Sequence, residues 1–203
     1  NGIMLATGSG AVTIGAAAGD GALQTATAST NLVLNNRSSN TLTVNAPITA
    51  NGSSGLAVNG NIVLRGTNTY TGPTGISGGT LEIAAGSLQS GSYAGAISLG
   101  NGATLRYNSS TNQTLSGAVT GVGGITKDNG STLTLSSGSN SFFGPINVSN
   151  GTLTGSAANA FGTGAIGNRL TIANLPTASV TIGNVNMSLG SLSGGGMLGG
   201  NLS

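Results

Sequence analysis

Residues 61–83 read NIVLRGTNTYTGPTGISGGTLEI, and this stretch constrains the fold more than any other. Ile62 and Leu64 alternate with Val63 and Arg65, and Leu81 and Ile83 bracket Glu82. A two-residue period sends each such pair inward and turns the residues between them outward. Between the two strands stand Asn68, Gly72, Pro73, Gly75, Gly78 and Gly79. Glycine supplies positive φ and proline a fixed φ, so the chain turns there.

The same text returns further along the chain, where Asn140 answers Asn68. Asn68-Thr69-Tyr70-Thr71-Gly72-Pro73 becomes Asn140-Ser141-Phe142-Phe143-Gly144-Pro145, and Ile76-Ser77-Gly78-Gly79-Thr80-Leu81 becomes Val148-Ser149-Asn150-Gly151-Thr152-Leu153 at the same offset. Seven of these twelve positions are identical and the apolar swaps preserve character. A fixed period of this kind marks a repeat array, in which one supersecondary unit buries its apolar face against the next. The candidate structural repeat motif is Asn68, Tyr70, Gly72, Pro73, Gly79 and Leu81, echoed by Asn140, Phe142, Gly144, Pro145, Gly151 and Leu153.

These residues carry a resemblance. NTYTGPTGISGGTLEI resembles the autotransporter-associated β-strand repeat of exported bacterial passenger and surface proteins, and residues 91–135 and 156–167 are similar to the connecting phrases of that family. The similarity runs over residues 42–172. It implies an all-β fold, a right-handed parallel β-helix (β-solenoid), lying outside the cell or on the bacterial surface. A coil of roughly 22–24 residues falls within the range of periods that solenoid repeats use. The resemblance implies no catalytic residue, because the shared motif is a folding motif.

With strand layers about 4.8 Å apart, 203 residues are expected to make roughly nine coils of one continuous array over 1–203, an excerpt or subunit of a longer one. Further inward pairs are Val12/Ile14, Leu32/Leu34, Leu42/Val44, Leu56/Val58, Ile97/Leu99, Leu105/Tyr107, Leu133/Leu135, Ile146/Val148, Leu170/Ile172 and Val180/Ile182, with Val185, Met187 and Leu189 as a last strand. Residues 15–29 are less regular and Ala-rich, suited to a short helical turn or a loop bulging from the coil. Both ends read as uncapped solenoid text, so association through the ends is expected.

Only 37% of residues are hydrophobic and Gly numbers 38, which in scattered order would mean disorder. Here the apolar residues sit in i, i+2 pairs, and mean hydropathy is +0.21. Charge is scarcer still. Asp20, Arg37, Arg65, Glu82, Arg106, Lys127, Asp128 and Arg169 make up 4% of the chain, for a net charge of +2. The basic residues lie apart, which excludes a nucleic-acid groove built on clustered phosphate contacts.

His and Cys are absent, so disulfides, thiolate or imidazole metal sites and His-dependent triads are excluded. Asp20, Glu82 and Asp128 share no motif position, and no carboxylate pair for glycoside chemistry is expected. Lys127 and Asp128 read as a surface turn. Without His, stability is expected to be indifferent to pH between about 5 and 9. Tyr70 and Phe142 suit either a sugar-stacking platform or the covering of a turn. The nine Asn-x-Ser/Thr sequons follow from composition; asparagine, serine and threonine ladders between coils use these residues better.

The expected protein is a non-catalytic extracellular structural protein, a stiff β-solenoid rod or fibre segment able to associate end to end. No cofactor or metal is expected, and no membrane insertion by this segment. Its partners are itself, end to end or laterally, or flanking repeats of a longer chain. The alternative is an adhesin-type passenger binding a surface glycan or a neighbouring cell.

Overall fold

The computed structural model describes residues 2–163, 168–185, 187, 189–194 and 201–202. Every strand pairing is parallel, and the strands stack on three faces of a β-solenoid. Face 1 stacks Gly2–Leu5, Leu32–Asn36, Leu56–Asn59, the start of Thr74–Ile83, Ile97–Leu99, Val119–Gly121 and Ser141–Phe142. Face 2 stacks Val12–Ile14, Leu42–Val44, Ile62–Leu64, the end of Thr74–Ile83, Ala103–Tyr107, Gly124–Lys127, Ile146–Val148, Arg169–Ile172 and Ser191–Gly194. Face 3 is built later, from Ser92–Tyr93, Gln113–Leu115, Thr132–Leu135, Gly151–Gly155, Ala178–Ile182 and Asn201–Leu202.

The strand Thr74–Ile83 serves two faces because it bends at Gly78 and Gly79. Gly79 has φ +73, and a Cβ there would lie 2.5 Å from the backbone of Gly60 in the coil before. Only glycine meets both demands.

Alternation along each strand supplies the core. On face 2 the inward column Leu42, Ile62, Leu81, Leu105, Ile125, Ile146 and Leu170 is continuous, and each member is at most 2% exposed. The expected inward residues Leu64, Leu81, Ile83, Leu99, Leu105, Leu133, Leu135 and Val148 are all buried.

Nine strands stack on face 2, and the first step there, from Val12 to Leu42, is the longest on that face. The surplus in that step is residues 15–29, which form the expected bulging loop of bends and turns, with no helix; Leu23 makes a β-bridge back to Ile48. Two expectations are corrected. Val12 is exposed and Ile14 half-buried, since no strand among the described residues stacks beyond them. Val185, Met187 and Leu189 pair with no strand among the described residues, although Met187 and Leu189 pack on the core; Asn186 and Ser188 lie outside the described residues.

Candidate functional site: the repeated motif and the outward columns

The twelve motif residues form one local structure, built twice. Asn68 and Asn140 are fully buried, and each ties three coils together. The Asn68 Oδ1 accepts from the Ile48 N–H (2.9 Å) and its Nδ2 donates to the Ser87 carbonyl (3.2 Å). The Asn140 Oδ1 accepts from the Val119 N–H (2.8 Å) and its Nδ2 donates to the Ala160 carbonyl (2.7 Å). Gly72 and Gly144 lie against the preceding coil so closely that a Cβ would meet a carbonyl at 2.1 and 2.0 Å. The carbonyls of Pro73 and Pro145 each accept an N–H from the start of the strand in the coil before, from Leu56 and Ile125. Gly79 and Gly151 have φ of +73 and +72, and Leu81 and Leu153 are fully buried behind them.

The two copies nevertheless face different ways. Residues 74–76 lie on face 1 and Leu81 on face 2, whereas Ile146–Val148 lies on face 2 and Leu153 on face 3. The second copy therefore stands three turns and one further face along the solenoid. Tyr70 and Phe142 do not line up on one surface, and both are fully buried. The sugar-platform reading of this pair is overturned. Tyr70 packs edge-on against Tyr93 with ring centroids 5.7 Å apart. Its hydroxyl shares a chain with Thr74 (2.8 Å) and Tyr93 (2.7 Å from Thr74), which ends on the Gly72 carbonyl. Burial raises the Tyr70 phenol well above its usual range and Tyr93 to about 12.

Stacking also assembles charge. Glu82 and Arg106 are register partners on face 2, and Asp128 follows the next strand. Arg106 Nη1 donates to Glu82 Oε2 at 3.1 Å and its Nε to Asp128 Oδ2 at 2.6 Å, while Asn108 Nδ2 donates to Glu82 Oε1 at 2.8 Å. Bonding to Asp128 raises the Arg106 guanidinium further. The sequence signal was present, since 82, 106 and 128 are one coil apart; comparing the carboxylates only with each other hid the arginine between them. Asp20 lies apart in an exposed loop and accepts from the Ala17 N–H.

Lys127 is a correction. It is no surface turn but fully buried, in the inward column that runs Val44, Leu64, Ile83, Tyr107, Lys127, Val148 and Ile172. Its Nζ donates to the carbonyls of Asp128, Asn129 (2.7 Å) and Asn150 (3.4 Å), and lies 5.9 Å from the Tyr107 ring centroid. Burial pushes its pKa down to about 8, with Asp128 opposing. Lys127 is therefore the residue on which the expected indifference to pH between about 5 and 9 is to be tested.

What this arrangement can do chemically is structural. Both face 2 carboxylates are tied to one guanidinium, and the ammonium is capped by carbonyls inside the coil. No group of three or more His, Cys, Asp or Glu side chains placed to hold a metal ion, and no helix long and apolar enough to cross a membrane, occurs among the described residues.

Comparison with known proteins agrees with this architecture. The family model for the passenger-associated-transport-repeat matches residues 59–83 and 125–154, the two segments that contain the motif copies. The chain is also similar to the adhesin BmaC autotransporter of Brucella suis biovar 1 (strain 1330), 38% identical over 103 residues. That match covers 51% of this chain but spans 3% of the length of the Brucella protein. No solved structure matches. Two segments of the chain, each holding one motif copy, thus match the passenger-associated-transport-repeat model, and the chain is similar over half its length to an autotransporter adhesin.

Proposed function

We propose that the chain is a stiff, non-catalytic rod segment of an exported passenger, exposed outside the cell or on its surface, which extends by adding β-layers at its ends. The observation that carries this reading is the set of unbroken inward columns, running layer upon layer with asparagine cross-ties between coils. Such a stack gains stability from each neighbour it covers. At the first layer the inward Val12 is 36% exposed and Ile3 and Ile14 are only half-buried, a surface that a further β-layer fits, whether from flanking repeats of a longer chain or from a second copy. Light scattering and electron microscopy of residues 1–203 test it: concentration-dependent filaments one or a few solenoids thick are expected. A stable monomer at tens of micromolar would remove end-to-end association from the reading.

The adhesin name of the Brucella relative supports a second reading, attachment to a glycan or a neighbouring cell. A glycan array and whole-cell binding assay separate the two. Saturable, specific binding by the folded segment favours attachment.

A further inference from the structure

The outer surface of face 1 departs from the rest of the rod. Two outward columns run along it, Gly2, Val33, Ala57, Gly75, Ser98, Thr120 and Ser141 in one, and Met4, Asn35, Asn59, the bulge at Ser77 and Gly78, Gly100, Val122 and Phe143 in the other. Neither column contains an ionisable side chain. Side-chain size falls to nothing at Gly75 and Gly100 and rises again at Val122 and Phe143, leaving a groove of about 550 Å3 floored by these glycines, Ala57 and Ser98. Beside it stands a knob. Of the six aromatic residues, five are at most 2% exposed, while Phe143 is 47% exposed and lies next to Val122, 54% exposed.

Neither feature is needed by the repeat. Gly75 lacks positive φ, and a Cβ there would meet only Ser98 Oγ at an ordinary 3.4 Å. Its counterpart in the second motif copy is Asn147, and the counterpart of Phe143 in the first is Thr71. Glycine inside a strand weakens it, and where no turn demands it, it often marks close approach of another chain. The two departures between motif copies, on different coils, thus fall on one surface: one opens a hole and the other raises a knob, two to three layers or roughly 10–14 Å away.

We propose that face 1 is a lateral self-recognition surface. Two copies lie side by side, related by a two-fold axis near Thr120, with Phe143 of each entering the Gly75/Gly100 groove of the other. A hole and a knob on the same face are what an isologous contact requires, since residue i meets j and j meets i. The uncharged columns allow the approach without stranding a charge. With the axis at Thr120 the overlap runs from the Gly75 layer onward, roughly 20 Å by 12 Å and on the order of 250 Å2 per copy, which is the size of a weak contact. Rods lying side by side on a surface multiply such contacts. The inference stands apart from end-to-end stacking, which would not bring the middle of one rod to the middle of another.

The chain has no cysteine, so cross-linking reports the contact cleanly. Thr120→Cys places a thiol beside the two-fold axis, and Thr134→Cys, equally half-buried on face 3, is the control. With diamide as oxidant, the two thiols of paired Thr120→Cys copies are expected to form a disulfide about tenfold faster than those of Thr134→Cys. Adding Gly75→Thr, which fills the groove, or Phe143→Ser, which removes the knob, is expected to lower that rate by about tenfold, as loss of a central aromatic anchor does. Circular dichroism on both variants confirms folding. Equal cross-linking at positions 120 and 134, or cross-linking indifferent to both substitutions, overturns the proposal. So does a neutral oligosaccharide or peptide that binds the monomer and is lost on Gly75→Thr, since it would assign the groove to that occupant.

Discussion

In the first motif copy the buried Asn68 ties the Ile48 N–H to the Ser87 carbonyl, and in the second Asn140 ties Val119 to Ala160 in the same way. Gly79 and Gly151 turn the chain with nearly the same positive φ. Yet Leu81 closes face 2 and Leu153 closes face 3. The motif therefore specifies a corner, and any corner of a three-sided coil suits it. What differs between copies is the outward residue. At the position of Glu82 the second copy has Thr154, which stands in a column of Thr114, Thr134, Thr154 and Thr181. Inward positions are fixed by packing against two neighbouring layers, whereas outward ones follow whichever face they land on.

If the corner is the unit, equivalent substitutions should cost the same on both faces. Leu81→Ala and Leu153→Ala each remove a fully buried side chain, and each is expected to cost about 2–5 kcal/mol, the two agreeing within about 1 kcal/mol. Thermal and urea melts of the two variants check this; costs that differ by more than about 2 kcal/mol would mean that the face, and not the corner, sets the packing. Asn68→Ala and Asn140→Ala come next, at about 1–3 kcal/mol each, because each strands a buried N–H and a buried carbonyl in neighbouring coils. Hydrogen exchange should show that loss at the amides of Ile48 and Val119, one coil before each substitution.

The inward residues were legible because alternation with a two-residue period is a local signal, and Leu133, Leu135 and Val148 could be placed from their own strands. Face assignment was not local. The spacing from Asn68 to Asn140 looks like a whole number of coils until the register steps are summed, and those steps are unequal, the one from Ile62 to Leu81 being shorter than the one from Leu81 to Leu105. Lys127 was misread for a different reason. Set only against Asp128, its neighbour pointing to the opposite face, it reads as a surface turn, whereas alternation from Ile125, two positions before, carries Lys127 inward. The carbonyls of Asp128, Asn129 and Asn150, which offset the cost of burying an ammonium, come from the corner and the next coil. The Glu82, Arg106 and Asp128 cluster is legible only once the coil length is known.

Lys127 gives the next prediction. Its pKa is about 8 in the fold and about 10.4 in the unfolded chain, so between these values the unfolded state holds more protons. Stability should therefore rise with pH from about 8 toward 10, by on the order of 1–2 kcal/mol. Above about 10 the buried Tyr70, Tyr93 and Tyr107 phenols, all raised, work in the opposite direction and end the rise. Lys127→Met should flatten the profile below pH 10 while keeping the fold, since an unbranched side chain of similar length fills the column. A flat wild-type profile would mean that the three carbonyls hold the ammonium charged against burial.

The smallest effect concerns the outward columns. Arg106 is 42% exposed at its side chain, against 16% for Glu82 and 15% for Asp128, so each ion pair is screened and contributes no more than about 1 kcal/mol. Removing the guanidinium alone leaves two carboxylates on adjacent coils without the cation between them, and Arg106→Thr should cost more than Glu82→Thr. Glu82→Thr and Arg106→Thr extend the outward column through Thr126 as threonine, as on face 3, and Asp128→Thr at the corner leaves no stranded charge. The triple variant should then be more stable than Arg106→Thr, and its melting temperature should lose the salt dependence of the parent. Additive costs would show the charges acting independently. Non-additive recovery would show that the outward columns of this rod are interchangeable between faces, as its corners are.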